Sequence, residues 1–569
     1  MKLALSKAQA RAPQWAYFLI AFLVVGCAQP DWSVTGCILA SCIGYALFWQ
    51  GAFLCTSNKS RFWYAVFWFG AVSALHLNWF FADRYVGAYI YAFVAMLCLW
   101  LGVQFGIATL LIGNPKEISW LHILGISGGW ALCEWSRLFI LSGYSLDPAG
   151  IALSGTLTGL QMASAVGIYG LTFWVFLTNL IALRLLNSLS WRWGVVWVVV
   201  ALLPYASGAL HLAYHTRQME LKSTQKRSLE ALLVQTALIP EEKFTVNGSS
   251  PFSPASQWRK ILLLLAPHLS SPIDLIVLPE GTVPYGTHHP IYPAEEIERA
   301  FQEIFGQQVV LPAFFERSTR LGNRAWAQAL ADFTGADVIL GLEDLDVQPA
   351  EKTFQAYNAA FLVRPFTQEL TRYEKRVLVP MGEYIPFDWC KKILSKYGIM
   401  DSYTPGKEAK VFPTAHSPVG ISICYEETYG YLMRQSRQKG AEALINLTND
   451  VWYPMSRLPA VHFFHGRLRA LEAGVPVLRA CNTGVTCGID SVGRVVAQLP
   501  CENAQHACAA AVLPISLPLY HFPTLYTRWG DAFPMGCSAV LFAAFFVAKC
   551  FKRKQFKIKG FYIYPLRKN

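Results

Sequence analysis

Three residues with the chemistry of a nucleophilic site stand at or near the ends of apolar runs in the second half of this 569-residue sequence. Glu280 closes DLIVLPEG (274–281), and Cys424 ends the apolar part of VGISICYEE (419–427). Lys375 sits in RYEKRVLVPMGEYIPF (372–387), just after a strand and a turn. A thiol with an ordinary pKa of about 8.5 is mostly protonated at neutral pH, so it needs a base to take its proton or a cation to favour the thiolate. Glu280 is a base of the right type. Lys375 can hold the thiolate and then the oxyanion of a tetrahedral intermediate, and the backbone N–H of Tyr425 can donate to the same oxygen. Together these groups describe acyl transfer through a thioester. Singly, each has a plainer reading. A cysteine on a strand is usually packing, a lysine is usually solvated, and a glutamate at a strand end is often a cap. Separations of 95 and 49 residues do not by themselves bring the three together.

The surrounding texture supplies a scaffold. Seven runs read as strands: 231–237, 274–281, 336–344, 357–365, 419–427, 442–450 and 475–484. Several are continuously apolar and end in polar residues, as in sheets covered by helices. Helical patterns occupy 254–269, 293–305, 428–440 and 461–474, the last two ending on Gly440 and Gly474 where a left-handed C-cap would sit. The alternation predicts an α/β domain of roughly 300 residues. In such folds functional groups gather at strand C-termini.

Composition adds a second part. Hydrophobic residues make up 54% and charged residues 15% of the chain, against about 25% charged in soluble proteins. This excludes a disordered chain, a collagen and an ordinary cytosolic enzyme. Seven apolar runs lie near 15–28, 35–55, 62–81, 86–112, 121–141, 159–186 and 195–212, and an eighth near 532–548. A membrane span needs about 20 such residues. The first run is short, and with basic residues before it and VVGC at its end it also has the look of a signal peptide. The second run follows within a few residues, which favours a helical hairpin. With the N-terminus inside, sixteen Lys and Arg fall on the inner side, eight of them from Lys549 onward, and only Arg84 and Arg137 on the outer. That asymmetry turns the long segment outward, into the periplasm of a bacterium. It also accounts for the net charge of +12 without nucleic acid. The expected layout is a transmembrane domain (1–213), an outward catalytic domain (214–531), a final span (532–551) and a basic cytoplasmic tail (552–569). Glu134 and Arg137, three apart on one face of the fifth run, read as a structural pair.

The local wording of the three strings goes further. LPEG around Glu280, YEKRVLVPMGEYIPF around Lys375 and ISICYEE around Cys424 resemble the three motifs of the nitrilase (carbon–nitrogen hydrolase) superfamily. TNDVWY (448–453), HGRLRALEAGVPVLRACNTG (465–484) and SVGRVV (491–496) are similar to its later strings. The eight apolar runs narrow the resemblance to the membrane-embedded branch, the apolipoprotein N-acyltransferases. The resemblance implies a four-layer αββα sandwich inserted between seven N-terminal spans and one C-terminal span. It implies Glu280 as general base, Lys375 as oxyanion partner and Cys424 as nucleophile, with Glu383 supporting the lysine and Tyr425 and Glu426 beside the nucleophile. It implies a phospholipid acyl donor, a diacylglyceryl-cysteine apolipoprotein as acceptor, ping-pong transfer, an inner-membrane location, and no metal or cofactor. A monomer is expected.

Departures and rivals stand beside it. Leu278 replaces the family's usual Trp, and the charged EEKF (241–244) stands near where the family has Lys-Trp. A superfamily hydrolase of small amides or nitriles would share the triad but leave eight spans without a purpose. A transporter or peptide-binding scaffold would need no triad. The stretches 388–403 and 451–459 have the aromatic content of lids at a lipid interface. None of the 14 cysteines lies in a CxxC, which argues against structural zinc. Cys481, Cys487, Cys501 and Cys508 are candidates for disulfides. His288-His289 lacks partners at ligand spacing and reads as loop.

Overall fold

The computed structural model describes residues 13–221, 227–243, 253–306, 309–315, 320–348, 353–394, 402–500 and 509–560. Each apolar run of the sequence is helical: Gln14–Gly26, Val34–Ala52, Asn58–His76, Tyr89–Ile112, Trp120–Ser136, Ala163–Ser188, Trp191–Leu221 and Ala532–Gly560. Five of these are long and apolar enough to cross a membrane: Val34–Ala52, Tyr89–Ile112, Ala163–Ser188, Trp191–Leu221 and Ala532–Phe551. The other three fall short for separate reasons. Gln14–Gly26 has 13 residues, Trp120–Ser136 has 17, and Asn58–His76 carries Lys59, Arg61 and His76. At 1.5 Å per residue a 13-residue helix spans about 20 Å of a 30 Å hydrocarbon layer.

Buried polar groups lock these helices together. Helix Val34–Ala52 contains a π-turn at Ala40–Gly44. Asn179, from Ala163–Ser188, fills the gap in its backbone ladder. Its Nδ2 donates to the carbonyls of Ala40 (2.9 Å) and Ser41 (3.1 Å), and its Oδ1 accepts from the N–H groups of Tyr45 (2.9 Å) and Ala46 (3.2 Å). Backbone groups freed in an apolar bundle must find partners of this kind. Glu134 and Arg137 take separate partners instead of pairing directly. Glu134 accepts from Trp130 Nε1, the Ala149 N–H and Thr172 Oγ1, while Arg137 donates to Gln104. The carboxylate is consumed in holding neighbouring segments, and the guanidinium reaches toward a different helix.

The α/β part contains two six-stranded sheets. Its strands are β1 Ser228–Gln235, β2 Leu275–Val277, β3 Asp337–Gln348, β4 Thr353–Val363, β5 Leu370–Glu374, β6 Val411–Pro413, β7 Pro418–Ile423, β8 Ala443–Thr448, β9 Val477–Cys481, β10 Cys487–Ile489, β11 Val495–Gln498 and β12 Ala511–Pro518. The orders are β12-β1-β2-β3-β4-β5 and β11-β10-β9-β8-β7-β6. Each sheet is parallel at its centre (β1-β2-β3 and β7-β8-β9) and antiparallel toward its edges. Leu233, Val277, Ile339, Ile421, Ile445 and Leu478 fill the space between the sheets.

Helices Pro254–Leu265, Ala294–Phe305 and Asn323–Thr334 cover the first sheet. Gly430–Gln438 and Leu458–Ala473 cover the second. Together these make the four αββα layers. Leu432, Met433, Leu468 and Leu471 of the second helical layer share one core with Leu160, Ile168, Leu171 and Leu177 of the apolar bundle. The α/β part and the bundle are therefore packed through hydrophobic contact. Polar joints reinforce the seam. The left-handed Gly167 (φ +63°) kinks helix Ala163–Ser188, and the next N–H, of Ile168, donates to Glu472 at 2.9 Å. Arg457 donates to Asp31, Gln29 and the His76 carbonyl.

Cys481 and Cys487 are buried free thiols, so no disulfide joins them. Cys501 and Cys508 lie outside the described residues.

Asn179→Leu removes the partners of four backbone groups and should destabilise the bundle by at least about 2 kcal/mol. The check is a lowered unfolding midpoint in detergent, with Gly536→Ala, whose new methyl group meets open space, leaving the midpoint unchanged.

Candidate active site

Glu280 sits in the loop that continues β2. That loop stays on β3: the Leu278 N–H donates to the Ile339 carbonyl (2.8 Å), the Gly341 N–H to the Pro279 carbonyl (3.2 Å) and the Thr282 N–H to the Gly341 carbonyl (2.8 Å). Only glycine fits at 341, because a Cβ there would meet Glu280 Cα at 2.7 Å. Lys375 directly follows β5, its N–H bonded to the Asn358 carbonyl of β4 at 2.8 Å. Cys424 begins a 3₁₀ turn, Cys424–Thr428, at the end of β7. Its φ of +52° is left-handed and strained for a side chain with a Cβ. A nucleophile held on a sharp strand-to-helix turn projects its reactive atom clear of the sheet.

These three elements converge. Lys375 Nζ lies 2.7 Å from Glu383 Oε1 and 3.5 Å from Glu280 Oε1, with 1% of its side chain exposed. Asn358 Nδ2 donates to both carboxylates, at 2.7 Å to Glu280 and 3.0 Å to Glu383. The Val379 N–H fixes the remaining Glu383 oxygen at 2.9 Å. Glu280 Oε2 is buried with no hydrogen-bond partner. Cys424 is near enough that the charges of Glu280 and Lys375 act on its proton equilibrium, and it keeps partial exposure.

The electrostatics follow from enclosure. Burial on its own disfavours the Lys375 ammonium, but the carboxylates of Glu383 and Glu280 outweigh it and hold the pKa above the ordinary lysine range. Burial pushes the Glu280 carboxyl up, against the opposing Lys375 charge. Burial also pushes the Cys424 thiol well up, with Glu280 adding to the effect and Lys375 opposing it. The resting pair is therefore a neutral thiol and a base of raised proton affinity, a match suited to general-base catalysis.

Glu383 joins Glu280, Lys375 and Cys424, whereas Tyr425 and Glu426 turn elsewhere. Glu426 is fully buried and works on backbone. It accepts from the N–H groups of Ile423 (2.9 Å), Arg376 (2.6 Å) and Val377 (3.2 Å), and from Tyr373 Oη (2.8 Å). One carboxylate thus ties the Cys424–Thr428 turn to the segment that follows Lys375. Tyr425 Oη donates to the Gly143 carbonyl at 3.2 Å, and Tyr429 Oη does so at 2.9 Å. Ser145 and Thr428 share a further short hydroxyl contact. The Cys424–Thr428 turn is thereby fastened to the 142–145 loop, which follows helix Trp120–Ser136 of the apolar bundle.

Other residues of the site went unread in the sequence. Lys243, in the charged EEKF string, is buried and donates to the Gly281 carbonyl, behind Glu280. Burial lowers its pKa to about 8 against the pull of Glu280 and Glu343. Arg479 of β9 forms a two-point ion pair with Glu427 (2.9 and 2.8 Å) under the nucleophile's turn. Asn446 Nδ2 donates to the Cys424 carbonyl at 3.2 Å. Asp450, His462 and Cys424 each bring one donor atom within 4.8 Å of the others, and His462 Nδ1 bonds Asp450 Oδ1 at 2.8 Å.

Residues 245–512 match the carbon-nitrogen hydrolase family, and residues 15–181 match the apolipoprotein N-acyltransferase N-terminal domain. Among curated relatives, an apolipoprotein N-acyltransferase of Chlamydia caviae is 34% identical over 539 residues, covering 91% of this chain and 94% of that one. One from Chlamydia pneumoniae is 35% identical over 535 residues, covering 91% and 94%. One from Geobacter metallireducens is 26% identical over 476 residues, covering 81% and 80%. With both regions matched in order and a third of its residues shared along nine-tenths of its length, this chain belongs to the apolipoprotein N-acyltransferase family.

Proposed function

We propose that this chain N-acylates the N-terminal diacylglyceryl-cysteine of apolipoproteins, taking the acyl group from a phospholipid through a thioester on Cys424. The observation that carries this reading is the fastening of the Cys424–Thr428 turn to the loop after helix Trp120–Ser136, through Gly143 and Ser145. A thiol–carboxylate–ammonium site fixed to an apolar helical bundle suits a substrate that stays in the bilayer. Extracting an acyl chain costs about 0.8 kcal/mol per CH₂, and a site beside the membrane avoids that cost.

In the first half-reaction the Cys424 thiol gives its proton to Glu280 Oε2, and the sulfur attacks the ester carbonyl. The oxyanion that forms is stabilised by the Lys375 ammonium and by the Tyr425 N–H. Collapse breaks the C–O bond, and the departing lysophospholipid alkoxide takes the proton from Glu280. Glu383 and Asn358 hold Lys375 and Glu280 in register throughout. In the second half-reaction the acceptor's amine attacks the thioester and releases the thiolate.

The loops over the site support lipid access. Trp389 and Met455 are 67% and 73% exposed, and Phe387 stacks on Trp389 at 5.9 Å. Tyr453 packs its edge against Trp79 and Phe80 of the bundle, at 5.2 and 5.4 Å. Residues 395–401 lie outside the described residues. In this reading all eight helices cross the inner membrane and residues 214–531 face the periplasm. The three shorter helices are carried by their neighbours, and the chain acts as a monomer.

Cys424→Ala and Glu280→Gln should each lower lysolipid release and N-acyl peptide formation together by at least about 10³-fold, from phosphatidylethanolamine and a diacylglyceryl-cysteine peptide. Ammonia release from small amides without lysolipid would instead mark a hydrolase. Glu383→Gln should lower kcat by roughly 10²-fold with little change in KM, because it acts on the oxyanion partner and not on binding. Glu280 works as its carboxylate, and burial raises its proton affinity. Activity should therefore fall with decreasing pH through an acid limb in kcat/KM centred above the ordinary glutamate value of 4.5.

A further inference from the structure

Cys424 lies between two acid–base pairs, one from each sheet. Glu280 and Lys375 approach from the first sheet, on the β2 loop and just after β5. Asp450 and His462 approach from the second, on the 3₁₀ turn Asp450–Trp452 after β8 and on helix Leu458–Ala473. A ring nitrogen of His462, a carboxylate oxygen of Asp450 and the Cys424 sulfur lie within 4.8 Å of one another. The His462–Asp450 bond is enclosed, with side-chain exposures of 4% and 0%. A carboxylate accepts, so Nδ1 of His462 is the nitrogen that donates to Asp450, and Nε2 is the ring nitrogen this bond leaves over. The second oxygen, Asp450 Oδ2, is buried without a hydrogen-bond partner. Any Cβ at residue 484, a glycine, would approach it to 2.7 Å. A buried polar atom without a hydrogen-bond partner calls for an explanation.

The proton balance of the transfer supplies a reason. Loading Cys424 is proton-neutral, since the thiol's proton passes through Glu280 to the departing alkoxide. Unloading is not. An α-amine with a pKa of about 8 is largely ammonium at neutral pH. It begins with three N–H bonds and ends, as an amide, with one. Of the two protons lost, one returns to sulfur and the other must leave the site.

We propose that His462, oriented by Asp450, is the base that takes this proton from the acceptor's α-ammonium, so that the two half-reactions use different bases. The inference rests on the thioester reading above. The ammonium gives one proton to His462 Nε2, and the freed lone pair attacks the thioester carbonyl to form the C–N bond. The nitrogen of the tetrahedral intermediate gives its second proton to Glu280. The C–S bond breaks, the sulfur takes that proton back, and His462 releases its own to water. An ammonium and a thioester thus become an amide, a thiol and one free proton.

Single-turnover measurements on the full-length protein with phosphatidylethanolamine separate the steps. In His462→Asn the new amide can still donate to Asp450 but offers no base. Asp450→Asn, which removes the orienting carboxylate, serves as a second variant. In both, loading of Cys424 should stay within about threefold of the unaltered protein, while discharge to a diacylglyceryl-cysteine peptide slows by about 10²-fold or more. Discharge by hydroxylamine, a nucleophile already neutral at neutral pH, should be unchanged. Peptide discharge at the unaltered rate would overturn the proposal. So would loading and hydroxylamine discharge that fall in step with it, the mark of a merely structural role. If the unaltered protein forms no thioester at all, the parent reading falls and this one falls with it.

Discussion

The structure of the site depends on enclosing one ammonium. Lys375 has 1% of its side chain exposed and remains charged because Glu383 and Glu280 stand at 2.7 and 3.5 Å. An unpaired buried charge is expensive, and breaking a buried pair costs about 3–5 kcal/mol. Every nearby element serves this compensation. Asn358 bridges the two carboxylates, the Val379 N–H holds Glu383, and Glu426 ties the backbone after Lys375 to the nucleophile's turn. Glu280 is left with one open oxygen, and so is free to move a proton while the rest of the cluster is fixed.

The second constraint is attachment to the apolar bundle. Three of its polar seams are Tyr425 and Tyr429 on Gly143, Glu472 on the Ile168 N–H at the Gly167 kink, and Arg457 on Asp31, Gln29 and the His76 carbonyl. Each reaches from an α/β element near the site into a helix end or a kink, where backbone groups lack helical partners. Helix Leu458–Ala473 and the Arg457 at its N-cap supply two of these seams, and the helix also carries His462. Displacement of the bundle would therefore be transmitted to both sides of Cys424.

Much of this was legible in the sequence, and the reasons for the rest are physical. All seven strand-like runs are strands, because continuous apolar stretches ending in polar residues have few other fates in a helix-covered sheet. The strands that escaped notice are short or lie at sheet edges. β6 and β10 have three residues each, β11 is mostly exposed, and β12 contains Pro514. The amphipathic helix Asn323–Thr334 was missed outright although its sequence is helical in period. Glu280, Lys375, Glu383 and Cys424, which the structure brings together, were singled out through the wording of their strings. Asn358 and the Asp450–His462 pair were not, since nothing local distinguishes an inward Asn on a strand or an Asp and a His 12 residues apart. Lys243 was noted only as part of the charged EEKF string, since its burial behind Glu280 is a tertiary fact. The signal that could have found Asp450 is its place in TNDVWY, a string already noted for other reasons.

The central claim is that an acyl group passes through Cys424, and the most direct test is to trap it there. The full-length protein is incubated with a phospholipid bearing one isotope-labelled acyl chain, without acceptor, and digested for mass spectrometry. The account predicts one labelled acyl mass on the peptide containing Cys424, removable by hydroxylamine and absent from Glu280→Gln. An unmodified Cys424 peptide in a preparation that still acylates its acceptor, or a label on any other residue, would contradict it.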